Sequence, residues 1–107
     1  MPDILYSVIL LKKTIEFTEW LTSLTWKEQG QIDARLERIQ NIGHFGDAKS
    51  LEDGLAELRW KNGWRIYFMK TDKNTIILLI GGHKNAQEKD IKKARLLLRR
   101  YSHNQSE

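Results

Sequence analysis

LAELRWKNGWRIYFMKTDKNTIILLIGG, residues 55–82, decides the fold. Its first part alternates, with Leu55, Glu57 and Arg59 on one side and Ala56, Leu58 and Trp60 on the other. That period of two is the mark of a strand. Lys61-Asn62-Gly63 supplies a hairpin turn, because Asn-Gly takes positive φ at low cost. Residues 64–70 are aromatic and β-branched, and Asp72-Lys73-Asn74 turns the chain again. The run TIILLI (75–80) is continuously apolar, as in a central strand buried on both faces. Gly81-Gly82 is expected to end it.

Outward from this meander the period changes to that of helices near Ala48. Phe17, Trp20, Leu21 and Leu24 fall at i, i+3, i+4 and i+7, an amphipathic stripe. Thr25 and Glu28 have capping-box spacing, and the helix they open carries Ile32, Leu36 and Ile39 on one face. Gly43 is a natural stop. Ahead of these helices, residues 6–13 contain SVILL, one strand's worth of apolar residues. Beyond the meander, Asn85 and Glu88 repeat the capping spacing, and Ile91, Ala94, Leu98 and Tyr101 mark a last helix. Residues 102–107 are polar and expected to fray. The order is β-α-α-β-β-β-α, with a further short strand near residues 49–51. The class is α+β: a twisted, mainly antiparallel sheet under two N-terminal helices, with the last helix at its end or flank.

A chain of 107 residues fits one domain spanning 1–107. With 40% hydrophobic and 30% charged residues it is neither disordered nor membranous. It has no cysteine, which excludes disulfides and thiolate metal sites. No run approaches the roughly 18 apolar residues of a membrane span, and no secretory signal order is present, so a cytoplasmic protein without membrane partners is expected. Charge is divided unevenly. Residues 1–56 carry six Lys+Arg against nine Asp+Glu, a balance of −3, and residues 57–107 carry twelve against five, +7. A basic half suits a polyanionic partner or a solvated basic helix.

Several chemistries are poorly supported. His44, His83 and His103 are the only histidines, and none has a partner at ligand spacing. There is no Gly-x-Ser-x-Gly, and Gly81-Gly82 lacks the rest of a phosphate-loop fingerprint. No metal or cofactor is expected. What remains is a cationic cluster on the hairpin. Arg59 and Arg65 lie on either side of the Asn-Gly turn, close across the strand pair if it is tight. Lys84 follows the next strand at the mouth of a helix N-terminus. Three fixed cations can hold a phosphate and stabilise the charge that grows on it when a 2′-hydroxyl attacks. Equally, Arg59 and Arg65 can pair with Glu57 at the strand surface. Trp60, Trp64 and Tyr67 can stack bases or fill the core, and Arg35 and Arg38 fit a solvated helix face.

The pieces GLAELRW (54–60), GWRIYF (63–68), ILLIGGHKNAQ (77–87) and KDIKKA (89–94), with FTEWLTSL (17–24) and ARLERIQNIGHFGDAK (34–49), resemble the HigB-like addiction-module killer proteins of the RelE/ParE toxin superfamily. The resemblance implies a RelE-like fold and a ribosome-dependent, metal-independent endoribonuclease that cuts translated mRNA. It also implies neutralisation by a cognate antitoxin, a helix-turn-helix DNA-binding protein. Arg65 falls where such toxins place a phosphate-contacting arginine, and Lys84 where they place a second basic residue. Arg59 and Lys49 match further basic positions; Lys49, Arg35, Arg38 and His83 are the candidate RNA or ribosome contacts. Two departures stand out: His83 occupies a usually acidic slot, and Asp90 the position of a catalytic tyrosine. The superfamily also holds ParE-like gyrase poisons that cut no RNA, and a degenerate toxin would only bind its antitoxin and aid autorepression. An antitoxin would cover an apolar surface around the last helix, where Leu96 and Leu97 fall off the main stripe.

Overall fold

The computed structural model describes residues 9–105. Eight main elements follow in order: β1 (Leu10–Lys13), α1 (Ile15–Thr22), α2 (Trp26–Ile42), β2 (Ala48–Ser50), β3 (Leu55–Arg59), β4 (Trp64–Asp72), β5 (Thr75–His83) and α3 (Gln87–Gln105), the last preceded by a 3-10 turn over Lys84–Ala86. The sheet runs β1-β5-β4-β3-β2, antiparallel except where β1 joins β5. Residues 6–8 of the expected first strand lie outside the described residues.

Side chains that end each helix explain the boundaries. Thr14 Oγ1 accepts the N–H of Phe17 at 2.9 Å and donates to the Leu79 carbonyl at 2.7 Å, so one buried hydroxyl caps α1 and ties it to β5. At α2 the capping box forms as expected: Thr25 Oγ1 accepts from Glu28 N at 3.2 Å and Glu28 Oε1 from Thr25 N at 2.9 Å. Gly43, at φ 69°, closes that helix in the left-handed region. The third expected cap is absent, because Asn85 lies inside the 3-10 turn and α3 begins after it.

The sheet divides two apolar layers. On one face α1 and α2 bury Phe17, Leu21, Ile32, Leu36 and Ile39 against Leu58, Ile66, Phe68, Ile76 and Leu78. On the other, Ala94 and Leu97 of α3 pack on Leu55, Tyr67, Met69, Ile77, Leu79 and Ile80. β5 is therefore buried on both sides, as TIILLI requires. The last helix covers the second face instead of a flank, since its stripe includes Leu97; of the expected off-stripe pair, only Leu96, 58% exposed, faces out. The helix also runs through residues 102–105, so that part of the expected frayed tail is ordered.

Gly81-Gly82 does not stop β5, which continues to His83. The glycines serve close packing. A Cβ at Gly81 would collide with the Trp20 ring, and one at Gly82 with the Asp90 carboxylate. Strand continuation past them brings the end of β5 alongside the hairpin turn, where Lys84 N donates to the Gly63 carbonyl at 2.8 Å.

Candidate functional site

Residues paired directly across antiparallel strands share a face. The register sets Lys49, Glu57, Tyr67 and Ile80 in one row across the sheet, and Arg59, Arg65 and Gly82 in the next. Tyr67 and Ile80 belong to the layer under α3, so both rows face that helix. Arg59 and Arg65 are thus immediate neighbours, as the hairpin spacing requires. The turn is a three-residue loop instead of a pair of left-handed residues: Trp60 N donates to the Trp64 carbonyl and Gly63 N to the Trp60 carbonyl, each at 3.0 Å, and Gly63 alone in it has positive φ, 108°.

At the centre of these rows lies Glu57, fully buried. Its Oε2 accepts from Gln87 Nε2 at 2.6 Å and lies 3.7 Å from Arg65 Nε; its Oε1 lies 3.8 Å from Arg59 Nε. Arg65 is held further by donating from Nη1 to the carbonyls of Trp60 and Trp64, at 3.1 and 2.9 Å. It is only 9% exposed, a buried position and not the surface strand position its alternation suggests. Arg59, with 36% of its side chain exposed, is the more accessible cation. Glu57 Oε1, both Nε atoms and the Tyr67 hydroxyl are buried without a hydrogen-bond partner among the described residues. Burial, together with the nearby Glu57 and Asp90 carboxylates, raises the Tyr67 phenol far above its usual range, so it stays protonated. Asp90, seated over Gly82, is also raised by burial, against the pull of Lys89 and Lys93.

The other expected residues are distributed around this centre. Lys49 is exposed on the edge strand directly across from Glu57. Lys84 is exposed at the same end of the sheet, beside the hairpin turn. His83 lies on the opposite face: it pairs with Trp64, whose ring it meets edge-on at 5.4 Å, and its Nε2 lies 3.2 Å from the Asn62 carbonyl oxygen. Arg38 is exposed on α2. Arg35 does not sit on a solvated face. It donates to the carbonyls of Phe45, Asp47 and Arg59 at 2.5–3.1 Å and lies 4.3 Å over the Trp60 ring. Burial lowers its pKa, against the pull of Asp47.

Sequence reading treats Glu57 only as a possible surface partner and passes over Gln87. The signal for Glu57 is a carboxylate in phase with Leu55, hence inward-facing; Gln87 is marked only as the end of the ILLIGGHKNAQ piece, and its contact with Glu57 comes from a different element. No group of three or more His, Asp or Glu among the described residues is arranged to hold a metal ion, and no described helix is long and apolar enough to cross a membrane.

This sheet with helices on both faces is the fold of the RelE toxins. The chain is similar to the toxin–antitoxin complex RelBE2 of Mycobacterium tuberculosis, with a TM-score of 0.60 and 15% identity over 77% of this chain and 97% of that one. It is likewise similar to a free mutant RelE toxin of E. coli, with a TM-score of 0.62 and 13% identity over 76% and 88%. Residues 19–102 match the family described as phage derived protein Gp49-like (DUF891), and the chain belongs to that family. An uncharacterized protein of Haemophilus influenzae is 44% identical over 92 residues, 83% of this chain and 92% of the relative.

Proposed function

We propose that this protein is the toxin of a toxin–antitoxin module, of the HigB-like kind, and cuts mRNA on the ribosome without a metal. The supporting observation is the pair Arg59–Arg65, set side by side across the hairpin and oriented by the buried Glu57. Burying the Glu57 carboxylate and the Arg65 guanidinium, with Arg59 partly exposed beside them, costs more than apolar residues would, so the cluster is better explained by chemistry than by stability. Arg59 meets the scissile phosphate, and Arg65, fixed beneath it, reinforces the field on the non-bridging oxygens as the 2′-hydroxyl attacks. Lys84 and Lys49 hold flanking phosphates. A helix-turn-helix antitoxin silences the toxin by covering this end of the sheet; the relatives of like fold include toxin–antitoxin complexes.

The test is ribosome-dependent cleavage of a defined mRNA by wild type, Arg59→Ala and Arg65→Lys. Arg59 is partly exposed, so its truncation leaves the fold intact and should cut the rate by about 10²–10³. Arg65→Lys should recover only part of the activity, because an ammonium cannot keep both carbonyl contacts and the approach to Glu57. Full cleavage by Arg59→Ala would remove the proposed site. Toxicity with intact mRNA and impaired gyrase would assign the protein to the ParE-like class.

A further inference from the structure

The hairpin end of the sheet has a second cationic feature, on the side of α2. A cleft of about 560 Å³ opens between α2 and the β3–β4 turn, lined by Gln31, Arg35, Arg38, Trp60, Lys61 and Asn62. Its volume falls in the range of about 300–1,000 Å³ that holds small ligands. Arg59 borders it as well, and no carboxylate among the described residues does. Arg38 and Lys61 are exposed and free to meet an anion. Arg35 is different in kind: its guanidinium is locked by the carbonyls of Phe45, Asp47 and Arg59, with its central carbon 4.3 Å from the Trp60 ring centre. The result is a preformed wall of guanidinium and indole, flanked by two amides able to donate and accept.

We propose that this cleft binds one nucleotide of a single-stranded RNA, its phosphate on Arg38 and Lys61 and its base stacked against the Arg35–Trp60 wall. The proposal rests on the RNA-cleaving reading above and deepens it by assigning the strand a second seat. Guanidinium and indole planes both stack bases, and the side-chain amides of Gln31 and Asn62 suit a base edge. An acidic peptide would use the cations and leave the wall and the amides idle, so RNA is the better fit. Arg59 borders both this cleft and the Glu57 cluster, so a strand seated here passes round the hairpin end to the proposed cleavage site.

The experiment uses the full chain and a labelled uridine hexamer, 2′-O-methylated so that it cannot be cut, beside an abasic hexamer with the same phosphates. Anisotropy should show the uridine hexamer binding about tenfold tighter, the share of one stacked base. Arg38→Glu/Lys61→Glu should weaken hexamer binding at least tenfold and flatten the plot of log affinity against log salt by about 0.7, the slope of one phosphate. Both positions are on the surface, and an unchanged thermal melt will confirm the fold. Equal affinity for the two hexamers overturns the base seat. Hexaglutamate binding as tightly as RNA overturns it in favour of an acidic protein segment. Unaltered hexamer binding by the double variant, with wild-type mRNA cleavage intact, sinks the cleft alone. Failure of wild type to cleave, with the variant's binding loss intact, sinks the cleavage reading and leaves the cleft standing.

Discussion

The two faces of the sheet are built from the same strands and do opposite things. Under α1 and α2, the layer from Phe17 to Leu78 is apolar, and the buried Thr14 hydroxyl beside it is satisfied, accepting from Phe17 N and donating to the Leu79 carbonyl. Under α3 the apolar layer ends at the hairpin, where Glu57, Arg59, Arg65 and the Tyr67 hydroxyl hold the four buried polar atoms without hydrogen-bond partners among the described residues. In β3 the division is visible residue by residue: Ala56 and Leu58 serve the first face, and Leu55, Glu57 and Arg59 the second. Both faces bury apolar side chains, but the unsatisfied polar atoms lie on the second. A fold needing only stability would gain from replacing the buried charges with apolar groups.

The largest expected effect tests the dry face. Leu78 is fully buried there, and Leu78→Ala should lower unfolding free energy by about 2–5 kcal/mol in urea titration, through lost transfer energy and the cavity left behind. A cost near zero would show that this layer is not the stabilising one. Next comes the charged face. Glu57→Gln should cost about 1–3 kcal/mol, since it strips two buried guanidinium nitrogens of their compensating charge. Replacing all three charges, as in Glu57→Leu/Arg59→Met/Arg65→Met, should regain that loss or exceed wild type. If the triple variant is less stable than Glu57→Gln, the cluster is structural and the contrast between the faces fails.

These faces were unequally legible in the sequence. The dry one follows from period alone: Ile32, Leu36 and Ile39 at helical spacing, and TIILLI too apolar for anything but a strand covered twice. Local chemistry also fixed the Thr25–Glu28 cap and the Gly43 stop. Placement of the last helix was not legible, because Leu97 looks off-stripe until the sheet face it meets is known. The site was half legible. Arg59 and Arg65 flank a turn, so their adjacency could be read, but Arg65's burial could not, since it depends on carbonyls exposed by the turn's own geometry. Arg35 was misread for the same reason: its partners are backbone oxygens of Phe45, Asp47 and Arg59, which no side-chain pattern announces.

A smaller effect is expected where α3 meets α1. Glu16 accepts from Arg100 Nη1 and from the Tyr101 hydroxyl, each at 3.0 Å. Partial burial pushes its carboxyl up, but a backbone hydrogen bond, Tyr101 and Arg100 outweigh that and hold it below the usual value of 4.5. A folded value below the unfolded one means the stabilisation is present above the ordinary carboxylate range and is lost as pH falls through the folded value. Arg100 is 60% exposed, so solvent screens the pair. Glu16→Gln should cost about 0.2–1 kcal/mol at pH 7, measured by thermal melts, and the difference from wild type should shrink on acidification. A gap that widens in acid would reverse the sign assigned to this contact.

The smallest expected effect is the most discriminating. Tyr67 lies in the centre of β4 with its ring in the α3 layer and its hydroxyl buried beside Glu57 without a well-formed hydrogen bond. An ordinary buried tyrosine loses about 1–3 kcal/mol on truncation to phenylalanine when a good hydrogen bond is broken and its partner left bare. Here Tyr67→Phe breaks no such bond and removes a desolvated polar atom, so the ring keeps its packing. Stability in urea should stay within about 0.5 kcal/mol of wild type, with an unchanged m-value. The phenol is held protonated by burial and by the Glu57 and Asp90 carboxylates. If instead Tyr67→Phe costs 2 kcal/mol or more, its hydroxyl is a structural partner of Glu57, and the charged face is better satisfied than its contrast with the dry face implies.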